Sequence, residues 1–228
     1  MKYKNIRKGI FLSRPNRFIA YCDIDGEEEI CHVKNTGRCR ELLISGCEVY
    51  LEKSDNPDRK TRYDLIAVNK GGILINMDSQ APNKAVLEWL NEQKPFGEDM
   101  EVFPEQTYGK SRFDFLLKSN KTDRKLYLEV KGCTLEKDGV VLFPDAPTER
   151  GVKHVNELVA CIENGMEGAI LILVQMSGVK YFTPNYETHR EFGEALKRAK
   201  EKGAAILCYD STVTPDSIKV GKPVEIRL

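Results

Sequence analysis

Over residues 1–80 the apolar positions come in short runs that alternate with polar ones, the period-two signature of strands with one buried face. Residues 10–12 and 18–24 flank the turn formers Ser13-Arg14-Pro15-Asn16. Residues 29–33 alternate until Lys34-Asn35-Thr36-Gly37 breaks the run, and 47–52 alternate again before the loop at 54–58. Residues 63–68 and 73–77 are separated by Asn69-Lys70-Gly71-Gly72, a hairpin turn. Residues 38–44, closed by Gly46, predict one or two helical turns. Five or six short strands with one small helix predict a β-barrel of the oligonucleotide-binding type over 1–80, with an open meander sheet as the alternative.

The period changes near Asp78. Residues 83–93 carry Ala85, Val86, Trp89 and Leu90 at helical spacing, with Pro82 suited to the first turn. Extended runs follow at 100–108, 113–117 and 126–130. Thr148 is a candidate cap for a helix bearing Val152, Val155, Leu158, Val159 and Ile162, which Gly165 stops. The continuous apolar run 169–175 reads as a strand buried on both faces. An amphipathic helix over 187–202 ends at Gly203, and 204–209 reads as another buried strand. Helix, three strands, helix, strand, helix, strand predicts an α/β domain with a mixed central sheet over 81–228, hence an α+β chain overall.

Composition narrows the classes. The chain has 228 residues, 41% hydrophobic and 31% charged, so it can bury a core and is not disordered. With 35 basic and 35 acidic residues it is neither a histone-like binder nor an acidic tail, although a local basic face remains open to it. No apolar stretch approaches a membrane span or a secretory leader, which predicts a cytoplasmic protein without membrane contact. The seven cysteines are an odd number with no Cys-x-x-Cys pair, and read as small buried hydrophobes. Seven or eight residues separate Cys22, Cys31, Cys39 and Cys47, which does not fit a structural zinc site. Phosphate-cradling glycine loops and a Gly-x-Ser-x-Gly elbow are absent from the sequence.

The chemistry concentrates between residues 111 and 131. On the strand ending Leu128-Glu129-Val130-Lys131, Glu129 and Lys131 share a face with Cα atoms about 6.5–7 Å apart. Asp114, between Phe113 and Phe115, faces away from both rings. Folding the hairpin symmetrically about its polar tip at 119–124 sets Asp114 across from Glu129. Facing carboxylates repel, so the pair calls for a positive group between them, either Lys131 or a divalent cation. Two carboxylates with water form a hard oxygen site suited to Mg2+ or Mn2+, which polarises a phosphoryl oxygen and acidifies a bound water. Lys131 would orient that water or stabilise phosphate charge. The bland alternative is a solvated strand edge with ordinary charges.

The runs Ser-Arg-Phe-Asp-Phe, Leu-Glu-Val-Lys-Gly-Cys-Thr-Leu and Phe-Pro-Asp-Ala-Pro-Thr-Glu-Arg-Gly-Val-Lys-His resemble the sugar fermentation stimulation protein A family, as do Asn35-Thr36-Gly37 and Pro82-Asn83. The resemblance spans the chain. It implies an oligonucleotide-binding barrel joined to a domain like the PD-(D/E)xK nucleases, and DNA, or RNA, as partner. It also implies Asp114, Glu129 and Lys131 as the catalytic set, with Asp114 and Glu129 on the metal. Phe113 stands where that superfamily often has proline.

Around this centre, Thr148 and Arg150 at a helix start form a ready phosphate site, with Arg150 as the clamp and His154 four residues on. Glu88 and Glu92, also four apart, read either as an added acidic group or as two solvated carboxylates. In the N-terminal half, Lys34, Arg38 and Arg40, with Arg59, Lys60 and Arg62 on a loop, offer phosphate contacts, and Tyr21, Tyr50 and Tyr63 offer stacking faces. A nuclease is therefore the first expectation. A sequence-nonspecific DNA-binding regulator of sugar-metabolism genes, using the scaffold without turnover, is the alternative, and an enzyme on another phosphate or sugar substrate a third.

Overall fold

A computed structural model describes residues 1–35 and 37–228; Thr36, in the Asn35-Thr36-Gly37 run, lies outside the described residues. Six strands build the N-terminal half: β1 (Ile6–Ser13), β2 (Ile19–Ile24), β3 (Glu27–Val33), β4 (Glu48–Lys53), β5 (Tyr63–Lys70) and β6 (Ile73–Asn76). They pair in the order β3-β2-β1-β4-β5-β6, and a parallel β3–β5 pairing closes five of them into a barrel. That pairing excludes the open meander, and alternate residues fill the barrel: β2 buries Ala20, Cys22 and Ile24, and β4 buries Val49 and Leu51. Of the one or two helical turns expected over residues 38–44, one is present. In it the Leu42 and Leu43 amides donate to the Cys39 carbonyl, and Cys39 has left-handed φ, which stops propagation.

The C-terminal half begins with α1 (Ala81–Gln93), then β7 (Met100–Tyr108), β8 (Ser111–Ser119) and β9 (Lys125–Cys133). A short hairpin, β10 (Glu136–Lys137) and β11 (Val140–Phe143), precedes α2 (Glu149–Glu163) and β12 (Glu167–Val174). Then come β13 (Tyr181–Pro184), α3 (Tyr186–Glu201), β14 (Ala205–Thr214), β15 (Ser217–Pro223) and β16 (Glu225–Ile226). The main sheet runs β15-β14-β12-β9-β8-β7, with parallel pairings of β12 to β9 and β14; β10-β11-β13-β16 form a small second sheet. Central β12 is buried on both faces, as its continuous apolar run requires. β14 departs from the expectation of a buried strand: Ala205 is exposed and only Cys208 and Ser211 are fully buried, because just one edge strand lies beyond it.

α1 covers one face of the sheet through Ala85, Val86 and Leu90, and α2 with α3 covers the other. The α2 cap is as expected, with the Gly151 amide donating to Thr148 Oγ1 at 3.1 Å. All seven cysteines are free and six are buried. Among the described residues, no helix is long and apolar enough to cross a membrane.

The halves are joined by buried hydrogen bonds. The Gln175 side chain, at the end of β12, donates to the Asn76 carbonyl, Asn76 Oδ1 and the Asp78 carbonyl at 3.0–3.1 Å, and the Asn76 amide donates to the Gln175 carbonyl. Asn35 Nδ2 donates to the Met77 carbonyl at 2.9 Å. Gln175, Asn76 and Asp78 are all buried, so separating the halves would strand these polar groups.

Candidate functional site

The hairpin register is the one expected. Phe115 faces Leu128, Leu116 faces Tyr127 and Leu117 faces Leu126. The β8–β9 ladder then stops one step short of Asp114 and Glu129. On the other side of β8, pairing with β7 steps over Asp114 and Glu105, whose left-handed φ of 51° twists the ribbon there. Strict alternation puts Phe113 and Phe115 on one face; instead Phe113 enters the core beneath α2 and Phe115 the core beneath α1. Asp114 sits at that crossover. Its Oδ2 accepts the Val130 amide at 2.7 Å, taking the place of the missing ladder bond, and its Oδ1 accepts from Asn83 Nδ2 at 2.7 Å.

Glu129 is only 3% exposed. Its Oε1 accepts from Lys131 Nζ at 2.6 Å and from His154 Nδ1 at 2.5 Å, while its buried Oε2 has no partner among the described residues. Burial opposes the Glu129 charge, but the His154 and Lys131 bonds outweigh it and hold the carboxyl below the usual range. Asp114 shifts the other way: burial, then the Glu129 charge, push it up against the opposing Val130, Asn83 and Lys131 contacts. The two acids, Lys131 and Arg150 line one polar cavity of about 220 Å³, rimmed by Ser79, Asn83, Glu105 and Arg112. A buried carboxylate oxygen without a partner among the described residues, on a side chain that lines a polar cavity beside a carboxyl with a raised pKa, is what a hard divalent cation would satisfy, so the residues fit Mg2+ or Mn2+.

The structure thus gathers Asp114, Glu129, Lys131 and Arg150 around one cavity. His154 is there too, but not on a nucleic-acid face: it is buried, with Nδ1 on Glu129 and Nε2 accepting from Arg150 Nε at 3.4 Å. Lys34 is placed elsewhere and is not free for phosphate, its ammonium lying within 3.6 Å of carboxylates of Glu52, Asp64 and Asp78. Arg59 pairs with Asp64 and Arg62 with Glu29. Arg38 and Arg40 are exposed and, with Arg14 and Arg17, line a cleft of about 720 Å³ on the barrel. Arg14 frames it by donating to the carbonyls of Arg17, Asn35, Gly37 and Arg38. A seam cavity of about 360 Å³ meets this cleft at Gly37 and Ala146 and meets the acidic cavity at Ser79.

Tyr63 is buried and offers no open face, while Tyr50 is half-buried with its hydroxyl donating to Glu48. Glu88 pairs with the N-terminal amine and, with Glu92, lines a cleft against β15 that shares no lining residue with the acidic cavity. The α1 residue that does reach the site is Asn83. Its only signal in the sequence was membership of the Pro82-Asn83 resemblance. Arg112 went unnoticed although it lies two residues before Asp114.

Comparison with known proteins places this geometry. A family model described as the sugar fermentation stimulation protein RE domain matches residues 80–217, and one described as the SfsA N-terminal OB domain matches 12–77. The sugar fermentation stimulation protein homolog of Desulfitobacterium hafniense (strain Y51) is 57% identical over 100% of this chain and 99% of its own. That of Ruminiclostridium cellulolyticum is 54% identical over the whole of both. The solved structure of Pyrococcus furiosus SfsA in complex with Ca2+ superposes with a TM-score of 0.89 at 26% identity, covering 100% of this chain and 98% of that one. Barrel, mixed sheet and full-length identity agree: the chain belongs to the sugar fermentation stimulation protein family.

Proposed function

We propose that the protein is a divalent-metal-dependent nuclease acting on DNA. The supporting observation is the convergence of Asp114, Glu129 and Lys131 on one cavity, with Glu129 Oε2 buried and unpaired. Asp114 and Glu129 would hold Mg2+ or Mn2+, which supplies a Lewis acid for a phosphoryl oxygen and a more acidic bound water. Ca2+ in the Pyrococcus relative belongs to the same class of hard, oxygen-seeking cation. Lys131, 18% exposed at its side chain, holds the attacking water or offsets charge on the phosphate. Arg150 spends Nε on His154, which leaves its terminal nitrogens to grip a phosphate oxygen. In the cleft on the barrel, Arg17, Arg38 and Arg40 hold the flanking backbone, giving affinity without reading sequence. A binder without turnover has no use for two facing acids, which repel phosphate unless a cation lies between them.

The test is incubation of the full chain with single- and double-stranded DNA in Mg2+, Mn2+ or EDTA. Cut product that needs metal and disappears in Lys131→Ala supports the reading; EDTA-resistant binding with no product under any condition replaces it with the regulator. The barrel contribution has its own measurement. The double variant Arg38→Ala, Arg40→Ala should bind DNA more weakly at every sequence, and its slope of log K against log salt should be shallower by about 2. An unchanged slope would remove the cleft from the DNA path.

A further inference from the structure

We propose that His154 is a positioning residue that decides which oxygen of Glu129 is left for the cation. The proposal rests on reading the cavity as a metal centre. Its observations are the partners of one imidazole. Arg150 Nε is 3.4 Å from His154 Nε2, and a guanidinium has only protons to give, so that ring nitrogen carries a lone pair. The proton then sits on Nδ1, 2.5 Å from Glu129 Oε1. The ring cannot turn away: it is 8% exposed and lies against Phe113, with centroids 6.2 Å apart. α2 supplies both His154 and, one turn earlier, the arginine that fixes its tautomer.

A free carboxylate rotates, and its two oxygens exchange. Here two donors, His154 Nδ1 and Lys131 Nζ, converge on Oε1, and among the described residues nothing bonds Oε2. The rotor is thereby locked with Oε2 as the vacant acceptor. Lys131 alone would serve less well, because a long, partly exposed amine that must also meet water or phosphate is drawn off Glu129 when it does so. His154 has no second task. Donors behind a metal-binding carboxylate of this kind characteristically tune affinity by 10- to 100-fold.

Manganese titration of the full chain, by calorimetry or by the paramagnetic resonance of free Mn2+, separates positioning from mere packing. The amide nitrogen of His154→Asn falls near the place of Nδ1, whereas that of His154→Gln falls near Nε2. His154→Asn should keep Mn2+ affinity within about threefold of wild type, while His154→Gln and His154→Leu should lose about 10- to 100-fold. Circular dichroism in EDTA checks folding of each, and the Asn/Gln contrast stands even if the Leu variant does not fold. Equal weakening in the Asn and Gln variants, or wild-type affinity in a folded Gln variant, overturns the inference while leaving the metal centre in place. If neither Glu129→Gln nor Asp114→Asn changes Mn2+ binding, the metal reading itself fails and this inference with it.

Discussion

In EDTA, Asp114→Asn is expected to melt at or above the wild-type temperature, and with Mg2+ to cut DNA about a thousandfold more slowly, a loss of about 4 kcal/mol of transition-state stabilisation. The sign follows from the raised Asp114 pKa, caused first by burial and then by the Glu129 charge. Below the ordinary carboxylate value of 3.8 both folded and unfolded chains hold the proton, and the group contributes nothing. As pH rises past 3.8 the unfolded chain ionises first, stability falls until the folded pKa is passed, and the deficit persists at neutral pH. The amide removes that deficit without losing hydrogen bonds. Its oxygen accepts the Val130 amide, and its nitrogen donates to Asn83 once the Asn83 amide flips. Divalent metal should raise the melting temperature of the wild type and not of the variant. A variant that melts lower in EDTA would contradict the electrostatic argument, and one that is still stabilised by Mn2+ would contradict the ligand assignment.

Glu129→Gln should show the opposite stability sign. The carboxyl of Glu129 is held below its ordinary 4.5 because His154 and Lys131 outweigh burial, so its ionised form stabilises the fold above pH 4.5, and that contribution is lost as pH falls through the folded pKa. At neutral pH the Gln variant should therefore melt lower than wild type. The two carboxyls of one cavity are pushed in opposite directions, and both are largely buried rather than on a solvated edge.

What could be read from the residues is what depends on period and on local turn chemistry. Alternation gave the barrel strands, and the polar tip at 119–124 gave a register that the ladder from Phe115–Leu128 to Leu117–Leu126 obeys. What could not be read arises where long-range contacts override the local pattern. The left-handed Glu105 twists β8 so that Phe113 and Phe115 part company, and no periodicity announces a twist imposed by the neighbouring strand. The strands β10, β11, β13 and β16 are only two to four residues long, too short for a period to register. His154 was visible as a residue four beyond Arg150, but its burial beneath Glu129 depends on how α2 crosses the sheet. Lys34 looked free because its carboxylate partners, Glu52, Asp64 and Asp78, come from distant segments.

Gly132, the residue after Lys131, ties the site to the seam, and Gly132→Ala should expose that link. A Cβ at Gly132 would come within 2.6 Å of both Gln175 Oε1 and Pro82 Cγ. Neither neighbour yields easily. Gln175 is pinned through its side-chain nitrogen to Asn76 and Asp78, and Pro82 is a rigid ring in the first turn of α1. Overpacking of this kind costs about 1–3 kcal/mol, which for a chain of 228 residues lowers the melting temperature by about 2–12 °C. The displacement is also directional. Moving Pro82 moves Asn83, whose amide holds Asp114 Oδ1, so Mn2+ affinity should fall together with stability, unlike Asp114→Asn, where affinity falls and stability in EDTA does not. Thermal melts in EDTA paired with Mn2+ titration read both quantities. A variant that melts lower yet binds metal as wild type would mean that the seam can shift without reaching Asp114, and that Asn83 holds its place by contacts other than its neighbour in α1.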